Sequence, residues 1–171
     1  IGLDFGTHNT KLCVEEIDGN VKKYEFISFK NNGKDEFLLP SEMFIADNGK
    51  ITYGFVGERG AGRFIQNFKQ CVFTNLNGSE KDKLYCTWFI ANIIFDLEKK
   101  YSDQFTIQMG VPADNTNLAK KKKLAKMIVA SAYYLVKEVF KNDKSLFLNS
   151  TEQELISKTQ FITDEKEIET T

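Results

Sequence analysis

A chain of 171 residues, 42% apolar with fifteen Phe and two Pro, is long enough to bury a sizeable core without disulfide or metal staples. Its 23 Lys plus Arg against 24 Asp plus Glu leave a net charge of -1, which argues against a dedicated binder of nucleic acid or membrane surfaces. No apolar run reaches membrane-span length, no basic-then-apolar signal pattern is visible, and Cys13, Cys71 and Cys86 form no C-x-x-C pair, so the expected setting is a reducing cytoplasm.

In chain order, Ile1 to Thr7 is short, apolar and Gly-punctuated, which predicts a buried strand ending in a tight turn. The opening on Ile1 rather than Met suggests that residues precede it. Lys11 to Ile17 predicts a second strand, Asp18-Gly19 a hairpin turn, and Val21 to Phe29 a third strand. The first thirty residues thus predict a three-stranded antiparallel meander. Asn31 to Glu36 reads as a polar turn or loop, while Met43 to Ala46 and Ile51 to Val56 flank the hairpin signal Asn48-Gly49. Gly54, Gly57, Gly60 and Gly62 cluster in a loop-rich stretch, and Asn75 to Asp82 is polar and expected to be exposed. Residues 30–82 therefore read as a small inserted subdomain packed on a main sheet.

Ser79 with Asp82 resembles a capping box opening a helix, in which Tyr85, Trp88, Phe89, Ile93 and Leu97 recur at helical spacing. Ile90 and Ile94 broaden that stripe into a face suited to packing on a sheet. Phe105, Ile107, Met109 and Val111 alternate as a strand ending at Pro112. Asn115 or Thr116 can cap a long helix with Leu124, Ile128, Leu135 and Val139 on one stripe. Thr151 to Glu154 has the capping-box pattern for a last short helix, and residues 150–171 form an acidic tail, unassigned beyond Thr163. The result is α/β: a mixed sheet opening with the meander, flanked by helices, with residues 1–29 and 83–149 as its core. That element order resembles the ribonuclease-H-like sheet of each half of actin-type ATPases.

The informative stretch is Asp4-Phe5-Gly6-Thr7-His8-Asn9-Thr10-Lys11. A phosphate-binding hairpin needs Gly where backbone must approach the ligand, and successive N–H groups in the turn then form an anion-binding concavity. Thr7, Asn9 and Thr10 add side-chain donors and Lys11 a point charge. Asp4, at the strand end, is placed to hold Mg²⁺ through water. The chemistry such a set serves is phosphoryl transfer, where positioning and charge neutralisation dominate. Asp4-Phe5-Gly6 shares its letters with the protein-kinase metal motif, but no H-R-D loop precedes it. A plain Gly-Thr turn capped by Asp4 is the competing structural reading.

Ile1-Gly2-Leu3-Asp4-Phe5-Gly6-Thr7-His8-Asn9-Thr10 resembles the first phosphate motif of the superfamily of actin, sugar kinases and seventy-kilodalton heat-shock chaperones. Leu39-Pro40-Ser41-Glu42-Met43-Phe44-Ile45 is similar to the Pro-Ser segment that follows the meander in those ATPases. Asn67-Phe68-Lys69 resembles the segment bearing the chaperones' catalytic lysine, and Gly110-Val111-Pro112-Ala113 their Val-Pro-Ala strand end. The resemblance covers about the first 140 residues. It implies an actin-like ATPase N-terminal lobe that binds ATP or ADP with Mg²⁺. Asp4 would sit near the ion, Gly6, Thr7, His8 and Asn9 would wrap the β- and γ-phosphates, and Lys69 would reach the γ-phosphate or the attacking water.

His8 stands where the chaperones usually carry a hydroxyl residue, and Phe140 to Ser145 replaces their Asn-Glu-Pro-Thr-Ala-Ala stretch. The second phosphate loop and the adenosine-binding segment of the family occur nowhere in these residues. The resemblance therefore implies a missing second lobe as partner, and little activity from this chain alone. Two alternatives stand beside the ATPase lobe. One is a bacterial actin-like filament protein of the plasmid-segregation type, whose self-assembly nucleotide would control. The other is a ribonuclease-H-like nuclease using Asp4 and Asp114, with Glu15 and Glu16 on the second strand; a module that binds partners without nucleotide is the remaining reading. Lys120 to Lys123 with Lys126 read as a solvated basic face, or as a docking surface for an acidic partner or for the acidic tail. No Arg or aromatic residue interleaves with that run, which argues against nucleic acid. The Phe residues, with Trp88, Tyr85, Tyr133 and Tyr134, read as core, and Tyr133-Tyr134 as a contact for the missing lobe.

Overall fold

Alternation of apolar and polar residues sets the first three strands. A computed structural model describes residues 1–57, 59–75, 79–102, 105–112 and 117–163. In it β1 (Gly2–Phe5), β2 (Asn9–Asp18) and β3 (Val21–Phe26) form the expected antiparallel meander. Leu3 pairs with Leu12 and Phe5 with Thr10, so one face carries these buried residues while Gly2, Asp4 and Lys11 point to the other, exposed face. The third strand is shorter than its composition suggested. After Ile27 N–H donates to Leu12 O at 3.0 Å, the chain leaves the sheet, and Phe29 belongs to a separate hairpin. That hairpin pairs β4 (Phe29–Asn31) with β5 (Lys34–Glu36) around Asn32-Gly33, both at positive φ (49° and 80°). The stretch read as a polar turn or loop is thus a two-residue turn, with short strands on either side that were not expected.

β6 (Leu39–Pro40) returns to pair with Asn9 and Thr10 of β2. A second sheet then forms from β7 (Met43–Ala46), β8 (Ile51–Tyr53) and β9 (Gly62–Ile65), in the order β8-β7-β9, with Asn48-Gly49 turning the hairpin as read. The Gly-rich stretch was expected to be loop, yet it ends in β9. Gly62 permits this, since a Cβ there would lie 2.4 Å from Ile45 O and 2.8 Å from Ala46 Cα.

α1 (Phe68–Asn75), which periodicity did not reveal, buries Phe68, Val72 and Phe73. α2 (Glu80–Tyr101) starts where the capping pattern placed it, with Ser79 Oγ accepting from Asp82 N–H at 3.2 Å. Its apolar stripe lies against the buried face of the main sheet, where the rings of Phe5, Phe68 and Phe89 meet at 5.6–6.0 Å. β10 (Gln108–Met109) then pairs parallel to β1, completing a mixed main sheet of order β10-β1-β2-β3 with β6 also on β2. It is far shorter than the strand expected over Phe105 to Val111.

α3 (Leu118–Tyr134) continues into a π-helical turn, Leu135–Val139. Asn117 occupies its N-cap at φ 56° without a side-chain cap, and the expected caps, Asn115 and Thr116, lie outside the described residues. α4 (Lys144–Asn149), which was not anticipated, is capped by Asp143, and α5 (Glu152–Lys158) carries the Thr151–Glu154 capping box as read.

α5 and the residues after it pack onto the body. Trp88 Nε1 donates to Thr159 Oγ1 at 2.8 Å, Ile162 N–H donates to Ser131 Oγ at 2.9 Å, and Leu155 and Ile162 are buried. Arg63 of β9 pairs with Glu152 and donates to Tyr85 Oη, which in turn donates to Glu152. Burial alone would raise the Glu152 carboxyl, but the Arg63 hydrogen bond and charge outweigh it and hold the group below its ordinary value. Residues 164–171, the rest of the acidic tail, lie outside the described residues. The molecule is therefore mixed α/β, and no described helix is long and apolar enough to cross a membrane.

Candidate functional site

The turn between β1 and β2 is fixed by its own backbone. Gly6 N–H donates to Asn9 O at 3.0 Å, and a Cβ on Gly6 would lie 2.2 Å from that same oxygen. Only glycine fits, because the obstacle is backbone rather than a movable side chain. Among the described residues the N–H groups of Thr7 and His8, at the tip, donate to no acceptor. Thr7 is half-buried, and His8 and Asn9 are exposed. Two successive open donors in a tight turn are the elements of an anion-binding concavity.

A second segment clamps this turn from outside. Ser41 N–H donates to His8 O at 2.8 Å, and the Ser41 and Thr10 hydroxyls share a buried hydrogen bond of 2.8 Å. Thr10 therefore does not join the donors expected to face a ligand; its side chain is fully buried and braces the hairpin instead. Ser41→Ala, which leaves the Thr10 hydroxyl buried without this partner, is expected to cost about 1–3 kcal/mol in urea unfolding. Thr10→Val with Ser41→Ala removes both groups and is expected to recover most of that loss. A double variant as unstable as the sum of the singles would show that the pair is not the brace.

Charged groups surround the turn. Asp4 and Lys11 sit opposite each other across β1 and β2, paired at 3.5 Å with both side chains more than half exposed. Lys69, in the first turn of α1, donates its Nζ to Phe5 O and lies 5.5 Å from the Phe5 ring centroid. Burial lowers its pKa, and the nearby Asp4 carboxylate opposes that shift. Asp4, Gly6, Lys11 and Lys69 are thus gathered at one end of β1, although Lys69 lies 64 positions from Phe5 in the chain. Gly110 N–H donates to Leu3 O at 3.2 Å and brings the Val111-Pro112 segment alongside.

Asp4 is the one carboxylate at this end of β1 that could hold a hydrated magnesium ion, and it is already paired with Lys11. Among the described residues no group of three or more His, Cys, Asp or Glu could hold a metal directly. Glu15 is tied to Lys22 at 2.5 Å on the open face, Glu16 alternates to the other face, and Asp114 lies outside the described residues. The lysine run is split: Lys121 is buried, while Lys120, Lys122, Lys123 and Lys126 are exposed along the helix. The cysteines are all free, and burial pushes the Cys86 thiol well up, as befits packing rather than reactivity.

Ser41 is the residue that sequence reasoning left without a role. It was visible only as part of the Pro-Ser segment, with no local signal that its hydroxyl meets Thr10. Set against protein-family models, curated proteins and solved structures, the chain matches none.

Proposed function

We propose that this chain is the N-terminal nucleotide-binding lobe of an actin-like or chaperone-like ATPase, with a ribonuclease-H-like sheet, and that it acts with a second lobe. The observation that carries the reading is the Gly6–Asn9 turn, which leaves the Thr7 and His8 N–H groups open beside Asp4, Lys11 and Lys69. Phosphate oxygens of ATP accept from those two N–H groups, and Asn9 adds a side-chain donor at the rim. Lys11 and Lys69 offset phosphate charge; the partial burial of Lys69 strengthens its field there. Asp4 would hold a hydrated Mg²⁺, and the ion would supply neutralisation of phosphoryl charge. The parallel placement of β10 beside β1 after α2 also accords with the element order of that fold.

The test is ATP turnover by the protein bearing both lobes, with and without Asp4→Ala. Turnover is expected to fall by about 100-fold or more when a group that organises transition-state charge is removed. The 171-residue chain alone is expected to turn over little ATP, because half of the clamp is elsewhere. Unchanged turnover in Asp4→Ala would overturn the assignment. Light scattering in the same assay separates the branches: a rise on adding ATP marks a filament former.

A further inference from the structure

We infer that the outer edge of β3 pairs antiparallel with β3 of a second copy, joining two main sheets across a two-fold axis. The surface is independent of the nucleotide reading. Among the described residues β3 pairs with β2 alone, and all six of its residues are exposed. Tyr24 is 64% and Phe26 61% exposed, and Ile17 beside them on β2 is 67% exposed. An uncovered strand edge with apolar side chains is a template for another strand.

The backbone fixes which groups are on offer. Ile27 N–H points inward to Leu12 O. By strand alternation Val21, Lys23 and Glu25 also direct their N–H and C=O groups toward β2, and Lys22, Tyr24 and Phe26 direct theirs outward. An isologous antiparallel pair must match outward residues with outward residues, so only registers centred on a single residue are allowed.

Charge then selects among those registers. Centring on Tyr24 places Tyr24 opposite its copy, Lys22 opposite Phe26, and Lys23 opposite Glu25. Every cross-strand pair is then aromatic, aromatic with an aliphatic lysine stem, or oppositely charged. Centring on Lys23 or on Glu25 instead sets like charges directly opposite each other, which is destabilising. The sequence Val21-Lys22-Lys23-Tyr24-Glu25-Phe26 is thus self-complementary in one register. In that register the exposed Ile17, Tyr24 and Phe26 of both copies form one continuous face.

The experiment is sedimentation of the 171-residue chain over a concentration series, with circular dichroism to confirm folding. A monomer–dimer equilibrium is expected. Tyr24→Pro removes only an outward N–H, so it leaves the β2–β3 ladder intact while weakening the dimer by about tenfold or more. Lys23→Glu and Glu25→Lys are each expected to be monomeric, whereas a mixture of the two forms a heterodimer, since each then meets an opposite charge. A wild-type chain that is monomeric throughout, a dimer indifferent to Tyr24→Pro, or a mixture that fails to associate overturns the proposal.

Discussion

On the proposed ATPase reading, Gly6→Val is expected to abolish ATP turnover by the two-lobed protein, and in any case to destabilise this chain by about 2–3 kcal/mol. The cause is a collision that nothing can relieve locally. The new Cβ would stand 2.2 Å from Asn9 O and 3.3 Å from Asn9 C, both backbone atoms of the strand that closes the turn. Opening the turn to make room breaks the Gly6–Asn9 hydrogen bond and shifts His8 away from the Ser41 N–H that clamps it. The Thr7 and His8 donors then lose their shared direction. Donors that must reorganise during reaction forfeit most of their value, so turnover should fall by about 100-fold or more. Gly110 supplies the control. No atom lies within 4 Å of the place its Cβ would take, so Gly110→Ala should change stability by less than about 0.5 kcal/mol. The measurement is a urea midpoint for each variant beside a turnover assay. Wild-type turnover in Gly6→Val would sink the hairpin assignment, whatever its stability.

What the sequence made legible follows the range of the forces involved. The meander, the Asn48-Gly49 hairpin and the caps at Ser79 and Thr151 are local. Alternation, turn residues and side-chain-to-backbone bonds a few positions apart specify them, and all form, with β3 and β8 ending about three residues earlier than expected. α1 and β9 are different. Phe68, Val72 and Phe73 make too short a stripe to declare a helix, and that helix exists because Phe68 packs on Phe5 and Phe89. β9 lies in a Gly-rich stretch whose pairing with Met43 to Ala46 is set by close backbone approach at Gly62. At Asn32-Gly33 the turn is legible but its two flanking strands are not, because most of the residues in them are polar and no alternation supports them.

The candidate site divides the same way. Asp4, Gly6, Thr7, His8, Asn9 and Lys11 are contiguous and could be read together. A place for Lys69 beside the hairpin was expected only through resemblance, which gave it a reach to phosphate or water and not the bond to Phe5 O, and the burial of Thr10 was not expected at all. Both depend on which elements the fold brings against β1 and β2. Thr10 is instructive, since strand alternation puts it on the same face as Leu12 and Val14, which are buried. Applied along the whole of β2, that period places Thr10 in the core and not among the donors.

Trp88→Ala is expected to cost about 3–5 kcal/mol, a large share of the roughly 5–15 kcal/mol that holds a domain together. Trp88 is wholly buried in the middle of α2, packs edge-on to Tyr85 at 5.7 Å, and donates its Nε1 to Thr159. Truncation leaves a cavity where α2 meets the segment following α5, and it also removes the hydrogen bond that ties residue 159 to α2. Trp88→Phe retains most of the ring and should cost much less. Thr159 Oγ1 already donates to Leu155 O at 2.7 Å and is not orphaned by the loss of the indole. Phe89, not Trp88, stacks on Phe5 at 5.7 Å, so the loss should reach the hairpin only through global unfolding. Well below its unfolding midpoint, Trp88→Ala in the two-lobed protein should therefore keep near-wild-type turnover while its urea midpoint drops steeply. A turnover defect that persists under fully folded conditions would mean that α2 couples the C-terminal segment to the β1–β2 turn directly. A midpoint shift below about 1 kcal/mol would mean that the site collapses around the missing ring more completely than close packing allows.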